Sequence, residues 1–475
     1  MTTISRFTLI LAGVAVLCYG GLSRAAETTS PNILWLIAED LGVELGCYGN
    51  KLVHTPNLDN LAGEGARYTN AFTTAPVCSA SRSGFMTGMY QTSIGAHNHR
   101  SHRRDGYRLP DGVHVITDYF RQAGYFTANV RTAAPGVRGT CKTDFNFNVE
   151  KPFDGTDWNQ RRDGQPFFAQ VNFSETHRRF KKARENPVDP QKVTLPPYYP
   201  DHAIAREDWA LYLDTVGYLD AKVGAVLKRL EEEGLADTTI VFFFGDHGRA
   251  HVRGKQWLYD GGIHIPLIVR IPERFRPRGH GEPGTVCDDL ISAIDIAASS
   301  LAWAGTKLPT KMEGRPTLFP GVDQREFIVA ARDRCDETVD RIRCVRTKRY
   351  KYIRNFYPDR PYTQPNRYKE RQYPVLGLLK QLHSKGKLTP VQELFMAARR
   401  PPEELYDLTT DPHEVSNLAD SPRCQQVLKD LRAKLAGWIE QTGDQGRIPE
   451  DPSIIEFWQK RQKQKHGKKA RRGRK

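Results

Sequence analysis

The chain has 475 residues, 39% of them hydrophobic, and a formal net charge of +15. That is enough apolar material for one large domain and a smaller one, and it excludes a disordered or fibrous chain. Ten lysines and arginines and no acid fall between Lys460 and Lys475, leaving about +5 on the rest, so the basic balance belongs to a tail and gives no ground for a nucleic-acid partner.

Arg6, the apolar run from Phe7 to Leu17 and the small residues around Ser23-Arg24-Ala25 read as a secretory signal over residues 1–25. The run is too short to span a bilayer, so the sequence predicts an exported protein, periplasmic or secreted, with no integral membrane segment after cleavage. Leu17 is too bulky for a lipoprotein signal at Cys18. The six cysteines other than Cys18 and Cys78 show no Cys-x-x-Cys spacing, so zinc is not expected. Export permits disulfides, and Cys335 and Cys344, which flank a possible hairpin, are the first expectation for one.

The remaining chain opens with Ile33 to Ala38, a continuous apolar run of the kind that makes a strand buried on both faces. It ends directly in Glu39-Asp40. The stretch from Val77 to Gly88 follows, with Cys78 among small residues, Ser79 and Ser81 as helix-start residues, and Phe85-Met86 as a buried face. A cysteine at a helix N-terminus meets free backbone N–H groups and the positive end of the dipole, where an anion is also held. Phe167 to Phe173 is a second apolar run, ending near Glu175 and His177, and Thr239 to Phe244 is a third, ending in Gly245-Asp246-His247. Between them, Leu211, Thr215, Leu219, Val223, Val226, Leu227 and Leu230 form a helical stripe closed by Gly234, which is core packing. Ile265 to Ile271 is a fourth strand.

This alternation predicts an α/β fold over residues 30–325, a mostly parallel central sheet flanked by helices. Ligands of such sheets bind beyond the carboxyl ends of the strands, where these acids and histidines cluster. A smaller C-terminal α+β subdomain is expected over 326–457. Its antiparallel strands are read at Phe327 to Ala330, Ile342 to Arg346, Tyr350 to Arg354 and Glu404 to Leu408, with an amphipathic helix from Val427 to Ile439. Pro358 to Pro374, rich in proline, tyrosine and arginine, reads as a long loop. Residues 458–475 form a basic tail expected to be disordered, a candidate tether to a polyanion.

Glu39, Asp40, Asp246 and His247 together offer three carboxylates and one imidazole to a divalent cation, a set suited to calcium or magnesium. Taken singly, each acid pair reads as a cap or ion-pair partner, and a lone thiol as an ordinary core cysteine. His97, His99 and His102 lie in a polar, arginine-rich loop and are left outside the site.

Cys78, Ala80, Ser81, Arg82, Thr87 and Gly88 resemble the signature of the formylglycine-dependent sulfatases of the alkaline phosphatase-like superfamily, which reads Cys-x-Pro/Ala-Ser-Arg and then Thr-Gly. The resemblance extends to Thr55-Pro56-Asn57-Leu58-Asp59, Thr176-His177, Lys255, and Glu404 to Asp407 with Asp411-Pro412, Glu414 and Asn417-Leu418, so it spans most of 31–420. The first family lysine usually follows Gly-Tyr-x-Thr-Ala closely. Here Gly124-Tyr125-Phe126-Thr127-Ala128 is followed by Arg131, and the lysine is placed at Lys142 after an insertion. Glu39 stands for the usual aspartate, His247 for the commoner asparagine, and Asp144 where histidine is frequent.

The resemblance implies a sulfatase hydrolysing the O-sulfate esters or N-sulfates of sulfated carbohydrates, and parts of it are similar to heparan N-sulfatase. It implies that a formylglycine-generating enzyme converts Cys78 to formylglycine, whose hydrated aldehyde attacks sulfur. It further implies one calcium ion held by Glu39, Asp40, Asp246, His247 and the residue at Cys78. Lys142, Lys255 and Arg82 would hold the sulfate oxygens, and His177 would protonate the leaving group. The alternatives are a phosphodiesterase or phosphonate hydrolase of the same superfamily, and a non-catalytic polyanion-binding protein.

Overall fold

The computed structural model describes residues 30–102, 105–458 and 460. The signal-like segment and the basic tail from residue 461 onward lie outside the described residues.

The strands in chain order are β1 (Asn32–Ala38), β2 (Ala66–Phe72), β3 (Phe126–Asn129), β4 (Thr132–Ala134), β5 (Val137–Arg138), β6 (Phe167–Phe173), β7 (Thr239–Gly245), β8 (His264–Arg270), β9 (Thr285–Ser292), β10 (Ile328–Arg332), β11 (Ile342–Arg346), β12 (Tyr350–Asn355) and β13 (Glu403–Asp407). The helices are α1 (Pro56–Glu64), α2 (Cys78–Thr87), α3 (Ile116–Gln122), α4 (Ala203–Glu232), α5 (Asp260–Ile263), α6 (Ala293–Trp303), α7 (Arg367–Gln372), α8 (Pro374–Ser384), α9 (Pro390–Glu393) and α10 (Gln425–Thr442). Seven strands form the main sheet in the order β3-β6-β1-β7-β8-β2-β9. Its pairings are parallel except those of β8, which runs against both β7 and β2.

The alternation of side chains along β1 explains why the sheet is covered twice. Ile33, Trp35 and Ile37 enter one core with Phe85 and Met86 of α2, Phe120 of α3 and Leu301 of α6. Leu34, Leu36 and Ala38 enter the other, with Leu58 of α1 and Leu213, Val216, Leu219 and Val223 of α4. Each such side chain contributes about 1.5–3 kcal/mol when fully buried, so the central strands are the stable frame on which the strand-end residues sit. Gly234, at φ +67°, ends α4 in the left-handed turn that favours glycine.

The second sheet is antiparallel, in the order β10-β11-β12-β13, and carries α10 through Leu428, Leu431, Leu435 and Trp438. Two expectations fail here. Cys335 and Cys344 are not bridged: both are free and buried, Cys344 being paired across β11 with Ala330 while Cys335 pairs by backbone with Thr338. The hairpin exists, but its register puts other residues opposite each cysteine. The segment 358–374 is not one long loop either, because α7 forms inside it, capped by the Asn366 side chain on Lys369 N, and α8 begins at Pro374. Asn366 is an N-cap signal hidden by the surrounding prolines and tyrosines.

A buried ion pair ties the second sheet to the chain that follows α10. Asp444, next to the end of α10, holds Arg343 of β11 at 2.8 and 2.9 Å. Burial alone would raise its pKa, but Arg343 outweighs this and holds the carboxyl at about 2. The folded value lies below the unfolded one of about 3.9, so its stabilisation is present above pH 4 and is lost as pH falls towards 2. Asp444→Asn should destabilise the protein by about 2 kcal/mol, because buried Arg343 loses one of its two carboxylates and keeps only Asp333, 3.0 Å away. The midpoint of urea unfolding at neutral pH measures this, and an unchanged midpoint would refute it.

Candidate active site

The loops that leave β1, β6 and β7 meet the start of α2 at one end of the sheet. β1 ends in Glu39 and Asp40, and Asp40 takes the left-handed conformation (φ +54°), which aspartate tolerates better than most residues. The turn lets its backbone N–H donate to Asp246 Oδ1 at 3.0 Å, locking the ends of β1 and β7 together. Cys78 is the first residue of α2, as its small neighbours predict, but Val77 is the cap and no side chain caps the helix. Ser79 instead bonds His99 Nδ1 at 2.8 Å, and Ser81 bonds Thr73 Oγ1 at 2.7 Å and the Asp246 carbonyl.

Around the Cys78 sulfur, which is 2% exposed, stand His247 Nε2 at 3.2 Å, Lys255 Nζ at 3.3 Å and Asp40 Oδ1 at 3.8 Å. Lys255 also donates to both oxygens of Asp40, at 2.8 and 3.0 Å. Arg82, one turn along α2, donates to Asp246 Oδ2 and to Asn172 Oδ1 at 3.1 and 2.6 Å. Lys142 reaches Glu39 Oε2 at 2.9 Å, whereas Arg131 is exposed. His177 turns Nδ1 to the Arg178 carbonyl at 2.7 Å and leaves Nε2 3.9 Å from Asp40 Oδ2. The structure therefore brings together Glu39, Asp40, Cys78, Arg82, Lys142, His177, Asp246, His247 and Lys255. Glu39 stands a little apart, tied to Lys142, while Asp40, Cys78 and His247 present ligand atoms within 4.8 Å of one another.

The charges hold one another ionised. Burial pushes the Asp40 carboxyl up, but Lys255, His177 and His247 bring it well below the usual carboxylate range. Burial likewise raises Asp246, and His247, Arg82 and Lys142 more than reverse it. Lys255 is disfavoured by burial yet kept well above its ordinary value by Asp40 and Cys78, and Lys142 is raised by Cys78 and Glu39 against the same penalty. Burial lowers the His247 imidazole, but Asp246, Cys78 and Asp40 lift it to about 10.

His247 tests whether a metal ion fits. Its Nδ1 faces the Gly248 carbonyl at 2.8 Å, so that nitrogen carries the hydrogen and Nε2 faces Asp40 Oδ1 at 2.9 Å and Asp246 Oδ1 at 3.6 Å. A lone pair and two carboxylates aimed at one point require a cation between them, either a proton on the ring or a metal ion. Two buried carboxylates with one imidazole, and a third carboxylate close by, suit a hard divalent cation.

Residues that the sequence did not single out complete the site. Asn172, the last residue but one of β6, positions Arg82 and donates from its Nδ2 to Asn129 Oδ1; its only signal was a polar residue in an apolar run. Tyr368 of α7 places its ring 5.6 Å from Lys255 Nζ and 6.2 Å from the His177 ring. Burial raises its hydroxyl to about 12, so it is a neutral donor. His99, set aside as loop, is buried against Ser79 and lies 3.8 Å from Asp336.

A family profile described as "Sulfatase" matches residues 31–306. An ulvan-active sulfatase of Formosa agariphila is 35% identical, covering 90% of this chain and 78% of its own length. The human N-sulphoglucosamine sulphohydrolase is 28% identical over 90% of this chain and 93% of its own. The phosphonate monoester hydrolase of Agrobacterium radiobacter superposes with a TM-score of 0.64 at 18% identity, covering 87% of this chain and 96% of that one, a likeness of fold. With a profile that covers more than half of the chain and a relative at 35% identity along nearly all of it, the chain belongs to the sulfatase family and is a sulfatase hydrolase.

Proposed function

We propose that the protein removes sulfate from sulfated carbohydrates, as an O-ester or an N-sulfate, using a formylglycine made from Cys78 and one calcium ion. The observation that carries this is the buried start of α2, where Cys78 stands within 3.3 Å of both Lys255 and His247. Formylglycine supplies, as a hydrated aldehyde, a hydroxyl able to attack sulfur. Calcium supplies positive charge for the sulfate oxygens, and Asp40, Asp246 and His247, with Glu39 beside them, would hold it.

The chain's own residues do the rest. Lys255 at the Cys78 sulfur, with Lys142 on Glu39 and Arg82 on Asp246, supplies three cations to the site, which would bind a tetrahedral anion and stabilise charge developing on its oxygens. Asp246 and Asn172 fix the Arg82 guanidinium, so it meets the anion already oriented. His177 gives a proton from Nε2 to the departing oxygen or nitrogen. The tight packing around Cys78 excludes bulk water and strengthens each of these interactions. An exported setting, carried by residues 1–25, belongs to the same reading, as does a formylglycine-generating enzyme as partner.

Sulfate release from a panel of sulfated glycans tests the substrate class. Higher turnover on a phosphate diester or a phosphonate ester than on an aryl sulfate would overturn the reading. The assignment of the first lysine has its own test. Lys142→Ala should lower turnover on the order of 10²-fold or more, the size of losing one charge-stabilising donor, while exposed Arg131→Ala should change it less than about twofold. The reverse ranking would show that Arg131 takes that place.

A further inference from the structure

Two hydroxyls of the segment 366–373, those of Tyr368 and Tyr373, are buried without a hydrogen-bond partner among the described residues. A buried hydroxyl left unpaired costs about 1–3 kcal/mol, so each calls for a reason. Tyr373 belongs to the core: its ring is 1% exposed and packs against the Arg178 guanidinium, 4.4 Å from the ring centre. Tyr368 is placed differently. Its side chain is only partly buried while its oxygen is fully so, and the hydroxyl end therefore points inward.

Inward lies the catalytic group. The Tyr368 ring stands 5.6 Å from Lys255 Nζ and 6.2 Å from the His177 ring. Burial raises the hydroxyl to about 12, and the groups that act on it next are Lys255, Asp40 and Cys78, so the oxygen sits in the field of the residues around the Cys78 sulfur. At neutral pH it keeps its hydrogen. Lys255 is an ammonium and accepts no hydrogen bond, so that hydrogen is left for an oxygen brought by a ligand. Lys255, Lys142 and Arg82 each hold a carboxylate, whereas the Tyr368 hydroxyl holds none.

The ring is also held in place. Asn366 caps α7 on Lys369 N at 3.0 Å, and Arg367 N donates to Glu337 Oε1 at 2.7 Å. At the other end of α7 the Gln372 carbonyl accepts from Arg178 Nη1 at 2.8 Å. Arg178 is itself fixed by both oxygens of Asp208, at 2.6 and 2.7 Å, and its carbonyl takes His177 Nδ1. One arginine thus ties α7, and with it Tyr368, to the residue that faces the leaving group. A donor fixed before the substrate arrives needs no reorganisation as charge develops.

We propose that Tyr368 is a further catalytic residue, whose hydroxyl donates a hydrogen bond to a sulfate oxygen of the bound substrate beside Lys255. The inference rests on the sulfatase reading of the site and adds a neutral, directional donor to its three cations.

Tyr368→Phe removes the hydroxyl and keeps the ring. Because the lost oxygen is an unpaired buried one, the urea midpoint should hold or rise. The kcat/KM for aryl sulfates should nevertheless fall about 10–10²-fold, the size of a hydrogen bond to a charged acceptor. The fall should be equal for nitrophenyl sulfate and phenyl sulfate, since the contact is to the sulfate and not to the leaving group. Inorganic sulfate, followed by calorimetry at low salt, should bind about tenfold more weakly. An unchanged kcat/KM overturns the proposal. A loss confined to phenyl sulfate also overturns it, by moving the hydrogen bond to the departing oxygen, and a loss matched by a lower urea midpoint makes the hydroxyl structural. A wild type that releases sulfate from no aryl or carbohydrate sulfate would sink the functional reading instead. The calorimetry would then still decide the contact: equal sulfate affinities, or no sulfate binding by either protein, would refute it.

Discussion

Cys78→Ala is expected to lower turnover by on the order of 10⁴-fold or more, the scale seen when an enzyme loses its nucleophile. The substitution removes only the sulfur, from a helix start that is already packed. The protein should therefore fold, and the three cations around the site should still bind sulfate. Loss of turnover with anion binding retained is the signature of a missing nucleophile. Cys78→Ser separates two versions of the chemistry: a serine hydroxyl has no second hydroxyl on its carbon, so a variant that releases sulfate at the wild-type rate would rule out formylglycine. Peptide masses across residue 78 in active protein give the direct measurement. Unmodified cysteine in fully active enzyme would end the proposal.

Asp246→Ala should cost both stability and activity. Its carboxylate is fully buried, takes Arg82 on one oxygen at 3.0 and 3.1 Å and the Asp40 N–H on the other at 3.0 Å. Removing it strands the Arg82 charge and unlocks the β1 end from the β7 end. The cost of breaking such a pair is about 3–5 kcal/mol. Turnover should fall by on the order of 10³-fold or more, because a cation donor and the orientation of Arg82 are lost together. Asp246→Asn keeps the shape and an acceptor oxygen, so it should recover much of the stability but little of the activity. A chelator should lower the unfolding temperature of the wild type and leave that of Asp246→Asn unchanged. Full activity of chelated wild type, or of Asp246→Ala, would contradict the metal assignment.

The parts of the site legible in the sequence share a physical cause. A strand buried on both faces writes itself as a continuous apolar run, so a charged pair such as Glu39-Asp40 or Asp246-His247 at its end stands out. The other half of the sheet is less legible. β2 reads Ala-Arg-Tyr-Thr-Asn-Ala-Phe, with only part of it buried, and β9 begins with exposed residues, so neither makes an apolar run. Asn172 looks like an irregularity in β6 until its Arg82 partner, 90 residues away, is placed beside it. Tyr368 and α7 were masked by composition, since proline and tyrosine dominate the segment although an asparagine cap sits within it. Lys142 lay in a segment with no strong periodicity, and only a family pattern pointed to it.

The burial of Cys78 also sets an order of events in time. Cys78 is 169 residues from His247 and 177 from Lys255, the groups that enclose its sulfur, and Asp40 is 206 from Asp246. During synthesis these partners emerge long after the α2 segment, and contacts so distant in sequence are closed late in folding. At 2% exposure the finished pocket admits no modifying enzyme. Under the proposed formylglycine chemistry, conversion of Cys78 would have to compete with chain closure, and a variant that folds faster would leave a larger share of its molecules unconverted and inert.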